Sequence, residues 1–165
     1  MIKRILLSAV GGMPSISYIK HLQSNGYFVI GIDSNKSSIG FNFCDEFYTV
    51  PTVSQNSEYI KAIQSINFDV FFPWLDEEHM LFSSLNIAKV FPKGKIVTSS
   101  PEAIRITTNK NLTYDFCIKE GIPVARKKTV PPVFVRNIFS RGSKDAKLIF
   151  SKEELTEHHP SIIFL

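Results

Sequence analysis

The stretch that decides the fold is IKRILLSAVGGMPSISYIKHLQSNGYFVIGID, Ile2–Asp33. Its first part, Ile2–Val10, is a short apolar run of the kind that forms a buried strand. GGMPS then turns the chain, with Ser15 a candidate helix cap. Ile16, Tyr18, Ile19 and Leu22 recur at close to helical spacing and predict a helix over Ile16–Ser24. Asn25-Gly26 stops that helix, because glycine enters the left-handed conformation of a helix end at little cost. Tyr27–Asp33, YFVIGID, predicts a second strand.

Outward from this unit the alternation repeats. Glu46–Val50 predicts a third strand, closed by Pro51. Tyr59, Ile60, Ile63 and Ile66 put one apolar face on a helix over Glu58–Ile66. Asp69–Leu75 predicts a fourth buried strand, followed by the acidic cluster Asp76-Glu77-Glu78. A helix over Met80–Phe91 and a fifth strand over Lys95–Ser99 complete the series. Strands alternating with helices at this spacing predict an α/β domain built on an open parallel sheet. Beyond it, Pro101–Glu120 predicts one or two helices, opened by Pro101 and closed by Gly121. An extended linker, GIPVARKKTV, leads to a hairpin over Val133–Phe150, a helix over Lys152–His158 and a last strand in SIIFL. This divides the chain into 1–100, 101–130 and 131–165.

The composition fits such a domain. Fourteen phenylalanines and a hydrophobic content of 44% supply a packed interior in 165 residues, and exclude a disordered chain. The net charge of +4 is concentrated late: Arg126–Lys147 holds seven Lys/Arg against one acid, Asp145. Few aromatic residues interleave with these cations, which argues against nucleic acid as the partner. Cys44 and Cys117 lack CxxC spacing and read as reduced thiols of a cytoplasmic protein. No apolar run is long enough to span a bilayer.

Ligands of open parallel sheets gather at the carboxyl ends of the strands. Gly11, Gly12, Asp33 and Asp76 to Glu78 fall there. A glycine turn with an acid some twenty residues on suggests a dinucleotide site. Met13 and Ile16, however, occupy the places of the second and third glycines, where they would crowd a pyrophosphate and push the helix from the strand. No metal-ligand cluster and no nucleophile–base signature stand out.

The order of the segments ILLSAVGG, GYFVIGIDSN, CDEFYTVP, FFPWLDEE, KIVTSSPEAI, TNKNLTYDFCIKEGIPVA and the hairpin resembles the ATP-grasp enzymes, especially stand-alone relatives of the carbamoyl phosphate synthase large subunit. The resemblance implies a Rossmann-like domain, a helical linker, and the start of an ATP-grasp small subdomain. It implies ATP and Mg2+ as cofactors and small-molecule carboxylate and amine substrates.

Residue by residue, it makes Lys110 a nucleotide-binding cation, preceded by Asn109 where the family usually has aspartate. The hairpin Arg136–Asp145 resembles the family's flap. Arg136, Gly142 and Ser143 match it, while Ser140 and Asp145 replace two glycines. Asp76 and Glu78 match a D-x-E of the substrate side, beside Gly11 and Asp33. The family's metal carboxylates come later than these residues, so the resemblance implies the N-terminal portion of a carboxylate–amine ligase, inactive alone. The alternative is a non-catalytic binding or interaction module that pairs with a separately encoded ATP-grasp partner; a homo-oligomer is a separate expectation.

Overall fold

The computed structural model describes residues 3–128, 130–139, 146–157 and 162–164, and the side chains of these up to residue 155. The chain divides into two units, Met1–Pro101 and Glu102–Leu165.

The first unit is an open five-stranded sheet in the order β3-β2-β1-β4-β5. Its strands are β1 (Arg4–Leu7), β2 (Phe28–Asp33), β3 (Glu46–Thr49), β4 (Val70–Phe72) and β5 (Lys95–Ile96), and every pairing is parallel. The α/β sheet expected from the alternation is therefore the one found. Because parallel crossovers lay helices on both faces, its central strands are buried on both. Along β1, Ile5 and Leu7 pack with Ile19 and Leu22 of α1 (Met13–Ser24), while Leu6 faces the opposite core. Strand β4 alternates in the same way. Val70 and Phe72 lie on the α1 side, and Phe71 packs edge-on against Phe68 and against Phe82 of α3 (Asp76–Ser83). Tyr59 and Ile63 of α2 (Asn56–Ser65) and Phe91, after α4 (Ile87–Val90), close that second core. Each such fully buried side chain contributes about 1.5–3 kcal/mol.

Several expected elements differ in extent; the first strand is confined to Arg4–Leu7 and the fifth to Lys95–Ile96. Helix α1 begins at Met13, not Ile16, and its N-cap is Gly12. Pro14 sits in the first turn, where its fixed φ and missing N–H cost nothing. Ser15 is thus inside the helix and does not cap it. The helix expected over Met80–Phe91 starts at Asp76 and breaks after Ser83, restarting at Ile87 with Asn86 as cap. Its three acids, Asp76, Glu77 and Glu78, occupy the first turn, where the helix dipole favours negative charge. Strand β4 ends at Phe72, before Pro73.

The second unit contains α5 (Pro101–Thr108, opening at the last residue of the first unit), α6 (Lys110–Lys119), and α7 (Lys152–Glu157). It also holds a three-stranded sheet in the order β7-β6-β8. Strands β6 (Val133–Arg136) and β7 (Lys147–Ile149) form the antiparallel hairpin read from sequence, and β8 (Ile162–Phe164) pairs antiparallel on the other side of β6. Val133, Val135 and Ile149 form its buried core with Leu155. Gly121, at φ 69°, ends α6, and Gly26, at φ 78°, follows α1 in the same left-handed conformation. Among the described residues, no helix is long and apolar enough to cross a membrane.

Candidate functional site

The carboxyl edge of the parallel sheet is assembled from two loops, one after β1 and one after β4. Gly11, in the first, donates its N–H to Asp33 Oδ2 at the end of β2, at 2.8 Å. Asp33 also accepts from the Ser38 hydroxyl (3.2 Å) and, through Oδ1, from the Asn35 N–H (2.9 Å). Both oxygens are therefore engaged within the fold. Close approach makes this possible. A Cβ on Gly11 would meet Asp33 Oδ2 and Ser38 Oγ at 3.0 Å, and one on Gly40 would land on the Val10 carbonyl. The turn Ile39–Asn42 is thereby seated on the β1 loop, and Ser38, just before it, reaches Asp33.

Glu78 lies on the other side of that loop and is fully buried. Its Oε2 accepts from the Ser8 hydroxyl (2.6 Å) and from the N–H groups of Trp74 and Leu75 (both 2.9 Å). Its Oε1 accepts from the Tyr59 hydroxyl. Burial pushes the carboxyl above its ordinary range, against these four donated hydrogen bonds that favour the charged form. Burial and the neighbouring carboxylate likewise push Tyr59 far up, so its hydroxyl keeps the proton that it donates. The Trp74 N–H also reaches Ser8 Oγ at 2.9 Å. Ser8, Trp74 and Glu78 thus tie the ends of β1 and β4 together where the strand order reverses.

Asp76 differs from both acids. It is exposed on the first turn of α3. On the same helix His79 Nδ1 lies 3.0 Å from the Thr98 hydroxyl, beyond β5. Of the four residues read as substrate-side, the structure joins Gly11 to Asp33 and connects Glu78 to the same loop through Ser8. Of these three acids Asp76 is the most exposed, Asp33 is half-buried and Glu78 is buried.

In the second unit, Asn109 caps α6, its side-chain oxygen accepting from Asn111 N–H (3.0 Å) and Leu112 N–H (3.2 Å). Asparagine and aspartate serve equally well as such a cap. The next residue, Lys110, donates from its ammonium to the Ile138 carbonyl at 3.0 Å and from its backbone N–H to the same oxygen at 3.3 Å. Ile138 lies two residues past Arg136 along the chain. The Nε of Arg136 is buried and has no hydrogen-bond partner among the described residues. Gly142 and Ser143, with Ser140 and Asp145, lie outside the described residues. Among the described residues, no group of three or more His, Cys, Asp or Glu could hold a metal ion.

Sequence reasoning missed Ser8, Tyr59, Trp74 and Ser38. Tyr59 was legible only as part of an apolar helical face, and its hydroxyl partner sits 19 positions away. The one available signal was Ser8, a hydroxyl directly after an apolar strand.

No family model matches the chain. It is 27% identical over 141 residues to the 3-methyl-D-ornithine–L-lysine ligase of Methanosarcina acetivorans, covering 82% of this chain and 36% of that protein. The chain therefore spans about a third of the length of this curated relative. Among solved structures it is similar to N5-carboxyaminoimidazole ribonucleotide synthetase from Thermotoga maritima, with TM-score 0.64 and 19% identity, over 99% of this chain and 45% of that one. The Staphylococcus aureus N5-carboxyaminoimidazole synthetase complexed with ADP matches with TM-score 0.64 and 16% identity, over 94% of this chain and 43% of that one. The chain thus shares the fold of the N-terminal domains of these enzymes.

Proposed function

We infer that this chain is the N-terminal portion of an ATP-grasp carboxylate–amine ligase, with a phosphate-binding site in its second unit and a substrate-binding edge in its first. The observation that carries this reading is the pair of cations in the second unit. The Lys110 ammonium is held on the Ile138 carbonyl, just past the strand that carries Arg136, whose buried Nε has no partner among the described residues. A buried guanidinium nitrogen without an acceptor is costly, and an anion satisfies it. The residues present therefore fit a polyphosphate. Arg136 and Lys110 would hold it, and the resemblance adds Gly142 and Ser143, which lie outside the described residues.

ATP, when bound, supplies the phosphoryl group that activates a carboxylate for attack by an amine. The chain's own residues bind and orient. The two cations neutralise phosphate charge, and positioning of this kind accounts for most of the rate in phosphoryl transfer. At the sheet edge, Asp76 offers an exposed carboxylate to a substrate ammonium, while Gly11, Asp33 and Glu78 shape the loop beside it. The finer relation to the carbamoyl phosphate synthase large subunit rests on motif order alone.

The test is acyl-phosphate trapping. The full-length protein is incubated with ATP, Mg2+ and a panel of amino-acid carboxylates, with hydroxylamine as the trapping nucleophile. ATP-dependent hydroxamate from one carboxylate class supports the reading. Hydroxamate from none of them, with ATP left intact, refutes it.

A further inference from the structure

Ala9 is the only non-glycine residue with positive φ among the described residues, at 51°. An L-residue in this left-handed region costs about 1–2 kcal/mol, which persists only where the surroundings enforce it. Both sides of Ala9 are fixed. Before it, the Ser8 hydroxyl is held by Glu78 and by the Trp74 N–H. After it, the Val10 carbonyl accepts from the Ser15 hydroxyl at 2.6 Å, and the Gly11 N–H is held by Asp33. The Gly12 N–H closes the turn on the Ala9 carbonyl at 3.2 Å.

We propose that Asp33 and Glu78 are positioning residues that clamp the Ser8–Gly12 turn from opposite sides and hold Ala9 in its strained conformation, so that the turn is preformed at the substrate edge. This rests on reading that edge as the substrate side. Glu78 anchors the turn to β4 and α3, Asp33 anchors it to β2, and the strain sits between them. Neither acid needs to touch a substrate for its loss to disturb the site. A turn held in one shape spares a ligand the cost of ordering it.

Amide hydrogen exchange of the ligand-free protein tests this. Ser8→Ala removes the anchor before Ala9 and Glu78→Gln weakens it, while the Gly11–Asp33 bond is left in place. Each is expected to speed exchange at the Gly11 and Gly12 amides about five- to thirty-fold, the strain expressed as an opening equilibrium. Asp33→Asn is expected to do the same at the Ser8 amide, across the turn. Adding Ala9→Gly to Ser8→Ala should return the Gly11 and Gly12 amides to within about threefold of wild type, because glycine adopts this conformation without penalty.

If Glu78→Gln does not fold, the milder Ser8→Ala pair decides. Gly11 and Gly12 exchange unchanged in Ser8→Ala, or accelerated but not rescued by Ala9→Gly, overturns the proposal. No substrate or ATP is present, so this outcome and the trapping result can fail independently.

Discussion

The Ser8 hydroxyl donates to Glu78 Oε2 at 2.6 Å, across 70 positions of sequence. This bond joins the end of the first strand to the first turn of a helix after the fourth, at the point where the sheet changes direction. Glu78 is thereby part of the frame of the sheet's carboxyl edge, inside the protein, while Asp76 two residues earlier is exposed.

The buried carboxyl makes stability depend on pH. Glu78 has its folded pKa raised above the ordinary 4.5, first by burial. The unfolded chain therefore loses this proton at lower pH than the folded protein. The stabilisation is full below 4.5 and is lost as pH rises through the folded pKa. Denaturant unfolding of wild type and Glu78→Gln from pH 4 upward should show wild type's stability relative to the variant falling as pH rises. A relative stability that rises over that range would contradict the assignment.

The seat of the Ile39–Asn42 turn on Val10 makes a second prediction. Gly40→Ala should destabilise by about 1–3 kcal/mol, because the new Cβ lands on a backbone carbonyl that cannot move aside. Gly12→Ala should be milder, at or below about 1 kcal/mol, since the added carbon meets only ordinary contacts at 3.7 and 3.8 Å. Urea unfolding of the two variants checks the order, and equal losses would show that Gly40 is not close-packed.

Asn109 gives a third. Asn109→Ala should cost about 0.5–2 kcal/mol, since two N–H groups at the start of α6 lose their acceptor. Asn109→Asp should match wild type, because it restores the same cap and adds favourable charge at a helix N-terminus. Thermal unfolding followed by circular dichroism measures both. An Asn109→Ala variant as stable as wild type would remove the cap as the reason for this residue.

The sheet was legible because Ile5, Leu6 and Leu7, like Val29 and Ile30, are apolar without alternation, as strands covered on both faces must be. The end of α1 was legible from Asn25-Gly26. Its start was not, since Pro14 reads as a turn residue and is also the residue best suited to a first helical turn. The length of the helix after β4 was misjudged for a related reason. Asp76 to Glu78 stand in the sequence as an acidic cluster ahead of the apolar helical pattern, yet acids are favoured in the first turn of a helix.

At the site, Asp33 and Gly11 could be paired from their places at neighbouring strand ends. The burial of Glu78 could not, because only the folded chain brings Ser8, Tyr59 and two backbone N–H groups around it. The strain at Ala9 left no mark in the sequence, where an alanine after Ser8 is unremarkable.

The most direct test of the proposed phosphate site is a titration of ATP into the protein at fixed ionic strength, comparing wild type with Arg136→Ala and Lys110→Ala. A charge-assisted phosphate contact contributes about 1.5–3 kcal/mol, or about ten- to a hundredfold in affinity. Each substitution is expected to weaken ATP binding by about that factor, with the sheet of the first unit left intact by circular dichroism. If both variants bind ATP as wild type does, or if wild type shows no binding, Lys110 and Arg136 do not form a nucleotide site.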